Sequence, residues 1–319
     1  MNDEKTCLVT GGAGFIGSHL CDSLLARGMS VICVDNFITG RKENIQEAMG
    51  NPQFHLIEHD VVEPLNNVTP RLRSGQAFIF HLASPASVVD YQSNPEETAL
   101  VNSVGTRNLL RMSQETGAKF LFASTSEVYG DPKEHPQKET YWGNVNPVGQ
   151  RACYDESKRF GEMMTMVYER KYKLDARIIR IFNTYGPRMR ARDGRVISNL
   201  INQAIKGQQM TVYGDGTQTR SFCYVSDLVD GIMKAMFAIG TNGVVLNIGN
   251  PEEYRMTDLA VKIKEMTGSA SEIIFKELPT DDPHERQPDI AKAKTVLAWE
   301  PKVSVTEGLE KTIAYYRSL

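Results

Sequence analysis

Residues 9–17 read Val-Thr-Gly-Gly-Ala-Gly-Phe-Ile-Gly, an apolar run that breaks into glycines and resumes as a helix-forming segment. No other stretch of the chain narrows the fold as far. Gly11, Gly14 and Gly17 fall three apart, and Gly12-x-Gly14-x-x-Gly17 also satisfies the dinucleotide-binding pattern. Such glycines permit a tight turn and let the backbone approach a pyrophosphate. The helix that follows offers free N–H groups and a partial positive charge. The context agrees: 6–10 reads as a short buried strand, and 15–27 as an amphipathic helix with Ile16, Leu20, Leu24 and Leu25 on one face. A second apolar strand, 30–35, ends on Asp35, about 20 residues on, where a carboxylate holds a ribose 2′-hydroxyl and repels a 2′-phosphate. That predicts NAD rather than NADP. The competing interpretation is a structural glycine turn with an acidic strand end.

The alternation continues. Residues 77–82, 119–124 and 175–181 read as strands, and 95–115 and 153–171 as helices. Strands alternating with helices predict an α/β fold, a doubly wound parallel sheet covered on both faces. After about residue 183 the rhythm changes: glycine, proline and arginine crowd 186–195 and 213–220, which read as binding loops, and helices over 256–266 and 305–317 close the chain. The expected division is a dinucleotide-binding domain over 1–182 and a smaller α/β domain over 183–319, some of whose segments return to the first sheet.

The 319 residues suffice for this pair of units. With 36 basic against 39 acidic residues, the net charge of −3 suggests neither a nucleic-acid nor a membrane partner. Any polyanion must be met by a few placed arginines. Cys7, Cys21, Cys33, Cys153 and Cys223 are scattered and form no CxxC pair, which suits buried thiols in a reducing compartment. The polar residues 1–5 lead directly into a strand, and apolar runs are strand-length. The expectation is a cytoplasmic protein.

Two clusters carry chemistry. Tyr154 and Lys158 form Tyr-x-x-x-Lys, a spacing that puts both side chains on one helix face. A free tyrosine has a pKa near 10, too high for a base at neutral pH, and a nearby ammonium lowers it by stabilising the phenolate. Alone such a pair is usually accidental. Here it follows a dinucleotide signature and the cluster Ser124-Thr125-Ser126-Glu127 at a strand end, where doubly wound sheets bind ligands. Thr125 is placed to hydrogen-bond a reacting hydroxyl, with Ser126 and Glu127 beside it. The bland alternative is an N-cap cluster opening a turn.

With these features the chain resembles the extended short-chain dehydrogenase/reductase family, and within it the branch that decarboxylates UDP-glucuronate. The match runs over nearly the whole chain. Its most specific stretches are His81-Leu-Ala-Ser-Pro85, Ser124-Thr-Ser-Glu-Val-Tyr-Gly-Asp-Pro132, Tyr141-Trp-Gly-Asn-Val-Asn-Pro147 and Arg151-Ala-Cys-Tyr-Asp-Glu156. Arg180-Ile-Phe-Asn-Thr184, Asp193-Gly-Arg-Val196, Thr219-Arg-Ser-Phe222 and residues 283–289 match as well. The related 4,6-dehydratases show Asp-Glu after the threonine, where this chain has Ser126-Glu127, and the 4-epimerases usually lack an acid at the position of Glu127. Gln150 and Ser157 depart from the family's common proline and glycine.

The resemblance implies NAD as cofactor and no metal, with Gly11, Gly14, Phe15, Ile16, Gly17, Asp35, Asn36, Asp60, Val61, Leu82, Ala83, Tyr154 and Lys158 at the NAD site. It implies Pro85, Tyr91 and Ser126 facing the sugar. Asn183, Arg195, Tyr213, Gln218 and Arg220 are implied on the uridine diphosphate, with Arg286 reaching the reacting sugar. Thr125, Glu127, Tyr154, Lys158 and Arg286 are the implied catalytic set. The implied reaction is NAD-dependent decarboxylation of UDP-glucuronate to UDP-xylose through a UDP-4-keto sugar, in a homodimer formed through the helices 95–115 and 153–171. The alternatives are a UDP-sugar 4-epimerase of the same fold and a non-catalytic NAD-sensing module.

Overall fold

The computed structural model describes residues 5–66, 68–72, 76–278 and 285–319. Of the matched stretch 283–289, Pro283 and His284 lie outside the described residues, as do residues 1–4 of the polar start.

Seven parallel strands form the main sheet: β1 (Lys5–Thr10), β2 (Ser30–Asp35), β3 (Phe54–Glu58), β4 (Gln76–His81), β5 (Lys119–Thr125), β6 (Ala176–Ile181) and β7 (Val245–Ile248). Their spatial order is β7-β6-β5-β4-β1-β2-β3. The chain direction of the winding reverses between β1 and β4, and a crevice therefore opens beyond their carboxyl ends. β2 is buried along its whole length, and β1, β4 and β5 at every residue but the first, which explains their unbroken apolar runs. Alternate side chains enter opposite cores. Cys7, Val9, Cys33, Phe80 and Leu121 face one core, which Leu20 and Leu24 of helix α1 (Phe15–Leu25) help to fill. Leu8, Ile32, Ile79, Phe120 and Phe122 face the other, covered by Leu109 and Leu110 of α2 (Thr106–Thr116) and Tyr168 of α3 (Ala152–Tyr172).

The expected strands and helices of the first half recur within one or two residues, with one difference of kind. The helix expected over 95–115 runs without a break but contains a π-helical turn, Val101–Gly105, between Pro95–Leu100 and α2. The turn seats Asn102 against Ser84 and Ser157, donating to both hydroxyls at 3.0 Å, and packs Gly105 against Val61. A π-turn is a local insertion in a helix, which periodicity does not register. β3 and β7 have no counterpart among the sequence-derived strands. β3 is a half-buried edge strand with a weak pattern, and β7 reaches the sheet from the second half of the chain.

That second half contributes short paired segments. Met210–Tyr213 pairs with Ile273–Lys276, Thr219–Ser221 lies between Glu253–Arg255 and Glu285–Arg286, and Thr184–Tyr185 pairs with Cys223–Tyr224. Cys7, Cys21, Cys33 and Cys223 are buried thiols and Cys153 is half-buried. Among the described residues no helix is long and apolar enough to cross a membrane.

Candidate active site

A cleft of about 720 Å³ opens at the carboxyl ends of the sheet, and every residue assigned a site role above lines it. On one side lies the glycine turn. Gly11 has φ +71°, and a Cβ there would stand 2.8 Å from the Ala83 backbone. A side chain at Gly17 would strike the Gly11 carbonyl. These contacts keep the backbone bare where α1 begins. Gly14 caps α1 without a side-chain hydrogen bond, which leaves the helix's first N–H groups for a ligand. Asp35 accepts from Ala13 N–H (2.9 Å) and Phe37 N–H (2.8 Å), so its carboxylate is held rigidly at the strand end. Burial pushes its carboxyl up, and the two N–H donors pull it back. Asn36 donates to Asp60 at 2.9 Å, joining two more residues of this wall. A bare turn, an uncapped helix start and a fixed carboxylate together fit a dinucleotide.

At the centre of the cleft β5 ends on Thr125. Its hydroxyl accepts from Glu127 N–H at 3.2 Å and so starts the short turn Ser126–Tyr129. The N-cap interpretation is thus realised, and the same residue still faces the cleft. Tyr154 lies in the first turn of α3 and Lys158 one turn later, both buried. Tyr91 stacks on Tyr154 with ring centres 5.0 Å apart and planes 6° from parallel.

The spacing predicts that the Lys158 ammonium lowers the phenol's pKa; the structure shows a different balance. Lys158 Nζ lies 5.7 Å from the centre of the Tyr154 ring and donates to Ala123 O at 2.9 Å. Burial pushes Tyr154 up to about 12, while a hydrogen bond with Thr125 and the charge of Arg195 draw it partly down. Burial also brings Lys158 down to about 7, opposed by the carboxylate of Glu162. Desolvation penalises the charged form of each group and is the largest influence on both.

Glu127 sits between two guanidiniums. Arg286 Nη1 donates to Oε1 at 2.8 Å and Arg151 Nη2 to Oε2 at 2.6 Å. Burial favours the protonated acid, but the two arginines overcome it and hold Glu127 at about 2. Arg286 is only 1 % exposed and also donates to Ser126 Oγ (2.9 Å) and Gly130 O (2.8 Å), while its Nε is a buried donor with no partner among the described residues. Next to Tyr154, burial and then the Glu127 charge push Asp155 up to about 8.

The opposite wall carries Asn183, Arg195, Tyr213, Gln218 and Arg220. Gln218 Nε2 donates to Tyr213 O at 2.5 Å and Arg220 to Thr219 O at 2.8 Å. Arg195 lies 3.5 Å from Asp193 and stands at the start of helix α4 (Val196–Ile205). Sequence reasoning gave no role to Arg151, although it lies inside a matched stretch. It also passed over the half-buried set in which Ser124 and Arg180 both donate to Glu162 Oε1, at 2.6 and 2.9 Å. Their partners are 18 to 38 residues apart, and no local pattern announces such pairs.

The family model described as GDP-mannose 4,6 dehydratase matches residues 8–312. UDP-glucuronic acid decarboxylase 1 of Arabidopsis thaliana is 55% identical over 313 residues, covering 98% of this chain and 69% of the relative. The structure is similar to that of UDP-glucose 4-epimerase of Thermotoga maritima with UDP-glucose, at 33% identity and a TM-score of 0.88, over 98% of this chain and 99% of the other. It is also similar to UDP-glucuronic acid 4-epimerase of Bacillus cereus in complex with UDP-glucuronic acid and NAD, at 30% identity and a TM-score of 0.87, again over 98% and 99%.

Proposed function

The chain belongs to the UDP-glucuronic acid decarboxylases of the extended short-chain dehydrogenase/reductase family, and from this we propose that it converts UDP-glucuronate to UDP-xylose and carbon dioxide with NAD bound in its cleft. The observation that carries this reading is the Glu127–Arg286 pair, joined at 2.8 Å in the same cleft as Thr125, Tyr154 and Lys158.

Gly11, Gly14, Phe15, Ile16, Gly17, Asp35, Asn36, Asp60, Val61, Leu82 and Ala83 would hold NAD, and Asn183, Arg195, Tyr213, Gln218 and Arg220 the uridine diphosphate. An arginine meets a phosphate through two parallel N–H donors, which suits this second set. When bound there, NAD would supply reversible hydride acceptance at C4 of the sugar. Tyr154 takes the proton of the 4-hydroxyl, which Thr125 orients. Since burial holds its pKa at about 12, the phenol must lose its own proton first, and positive charge beside the ring favours that loss. Lys158, anchored on Ala123 O, supplies such charge when protonated. The resulting C4 ketone is β to the C6 carboxylate. The C5–C6 bond breaks, carbon dioxide leaves, and the electron pair moves into an enolate that takes a proton from solvent at C5; as hydride returns to C4, Tyr154 gives its proton back to O4. Arg286 and the ionised Glu127 set the charge around C5 and C6, with Ser126, Pro85 and Tyr91 packing about the sugar.

The test is direct. The purified protein incubated with UDP-glucuronate is expected to release carbon dioxide and give UDP-pentose by mass, and on denaturation to yield NAD rather than NADP. A product of unchanged mass would replace this reading with 4-epimerisation, and NADP in the denatured sample would refute the role of Asp35.

A homodimer is part of the same proposal, and its buried thiols suit a reducing compartment such as the cytoplasm. Phe160, Met163 and Val167 lie on one face of α3 and are 41, 47 and 37% exposed, with Leu100 and Val104 exposed on the neighbouring helical segments. Apolar side chains grouped in this way call for a cover, and a second copy provides it symmetrically. Sedimentation is expected to give twice the 35.7 kDa chain mass, and the pair of changes Met163→Glu and Val167→Glu to shift it toward one. A monomeric wild type would refute the dimer.

A further inference from the structure

Glu127 is gripped from two parts of the fold. Arg286 comes from the segment Glu285–Arg286 of the second half, and Arg151 from the residue preceding α3, three positions before Tyr154. Each guanidinium takes one carboxylate oxygen, at 2.8 and 2.6 Å. Arg151 is 8 % exposed and lines the cleft. Among the described residues, the Glu127 charge acts on Tyr154 and Asp155 of α3 and on Tyr91 of the helix Val88–Ser93. None of these three carries a positive charge, so among them the arginines alone favour the ionised carboxylate.

We propose that Arg151 is a positioning residue for decarboxylation: it ties the Glu127 carboxylate to the start of the helix that carries Tyr154. The group acting at C5 and the base acting at O4 thereby keep a constant separation while one sugar passes through both steps. This rests on the role given to Glu127 above and adds to it a residue that acts through Glu127.

Burial is the strongest influence on Glu127 and favours its protonated form; the guanidiniums reverse that and bring it to about 2. The sign follows. With both arginines present, Glu127 is ionised throughout the neutral range. Removing Arg151 leaves the burial in place, so the carboxyl pKa rises. Activity that needs the carboxylate is then lost as pH falls through the raised value, and the acid limb of the profile moves to higher pH.

The experiment uses the full-length enzyme with its NAD, comparing wild type, R151M, R151K, E127Q and E127Q/R151M. UDP-pentose formation is followed between about pH 5 and pH 9. R151M is expected to lower kcat at neutral pH by about 10- to 100-fold, the worth of a charged hydrogen bond, and to move the acid limb up. R151K, which keeps the charge but not the planar fork, should leave the limb in place with a smaller loss. In the E127Q background R151M should cost less than about threefold, because its route of action is already gone. An equal loss in both backgrounds with an unmoved acid limb would mean a merely structural arginine and would overturn the proposal. So would an R151M enzyme as fast as wild type. If R151M does not fold, R151K and E127Q/R151K take its place, and a loss from R151K that is equal in the wild-type and E127Q backgrounds overturns the proposal. A wild type that forms no UDP-pentose would instead be the failure of the decarboxylase reading, seen before any variant is made.

Discussion

Tyr154→Phe is expected to lose about 10²–10⁴-fold in turnover, the usual worth of a general base, while retaining bound NAD. The phenylalanine ring keeps the parallel stack on Tyr91 at 5.0 Å and the packing of a side chain that is 5 % exposed. What disappears is the hydroxyl, with its hydrogen bond to Thr125 and its capacity to take a proton. The loss should therefore fall on kcat, with substrate affinity changed much less. UDP-pentose formation and NAD released per chain on denaturation are the two measurements. Turnover within tenfold of wild type would remove Tyr154 from the role of base, and loss of NAD would show that the change had disturbed the cleft itself.

Glu127→Ala and Arg286→Ala are expected to be as badly slowed overall and yet to differ from the tyrosine variant in kind. In the proposed mechanism their charges act at C5 and C6, beyond the carbon that loses hydride. The proposed oxidation at C4 uses Thr125, Tyr154 and Lys158, which both variants keep. Mixing either variant with UDP-glucuronate should raise reduced-cofactor absorbance, whereas Tyr154→Phe should not. The two differ from each other as well. Arg286→Ala leaves Glu127 buried with Arg151 on one oxygen, so its carboxyl pKa rises and the acid limb of the remaining activity moves up. It also removes the donors to Ser126 and Gly130, and KM is expected to rise with it. Glu127→Ala leaves Arg286, 1 % exposed, without its counter-charge, and a loss of thermal stability should accompany the loss of rate. Full decarboxylase activity in both variants would defeat the argument from Thr125-Ser126-Glu127 and remove both residues from the steps at C5 and C6.

The first half of the fold was legible because its signals are local. An apolar strand, a glycine turn and a helix can be recognised within about 20 residues, and fully buried parallel strands have unbroken apolar runs. Asp35, Thr125, Tyr154 and Lys158 could be named on the same ground, since each stands at a set distance from a strand end or along a helix. The residues of the second wall, Asn183 to Arg286, came from resemblance alone, because loops carry no periodicity that says which arginine faces a cleft.

What the sequence by itself determined is therefore the doubly wound sheet, the dinucleotide turn and the pairing of Tyr154 with Lys158 on one helix. Each depends on contacts between near neighbours in the chain. Only the tertiary structure decided the charge state of the site and the partners that set it. Folding brought Arg151 across 24 residues and Arg286 across 159 to the two oxygens of Glu127, and it buried Tyr154 and Lys158 deeply enough to move one up and the other down. A pKa depends on how much water is excluded and on which charges stand within a few ångströms, and both are properties of the packed chain rather than of any segment of it.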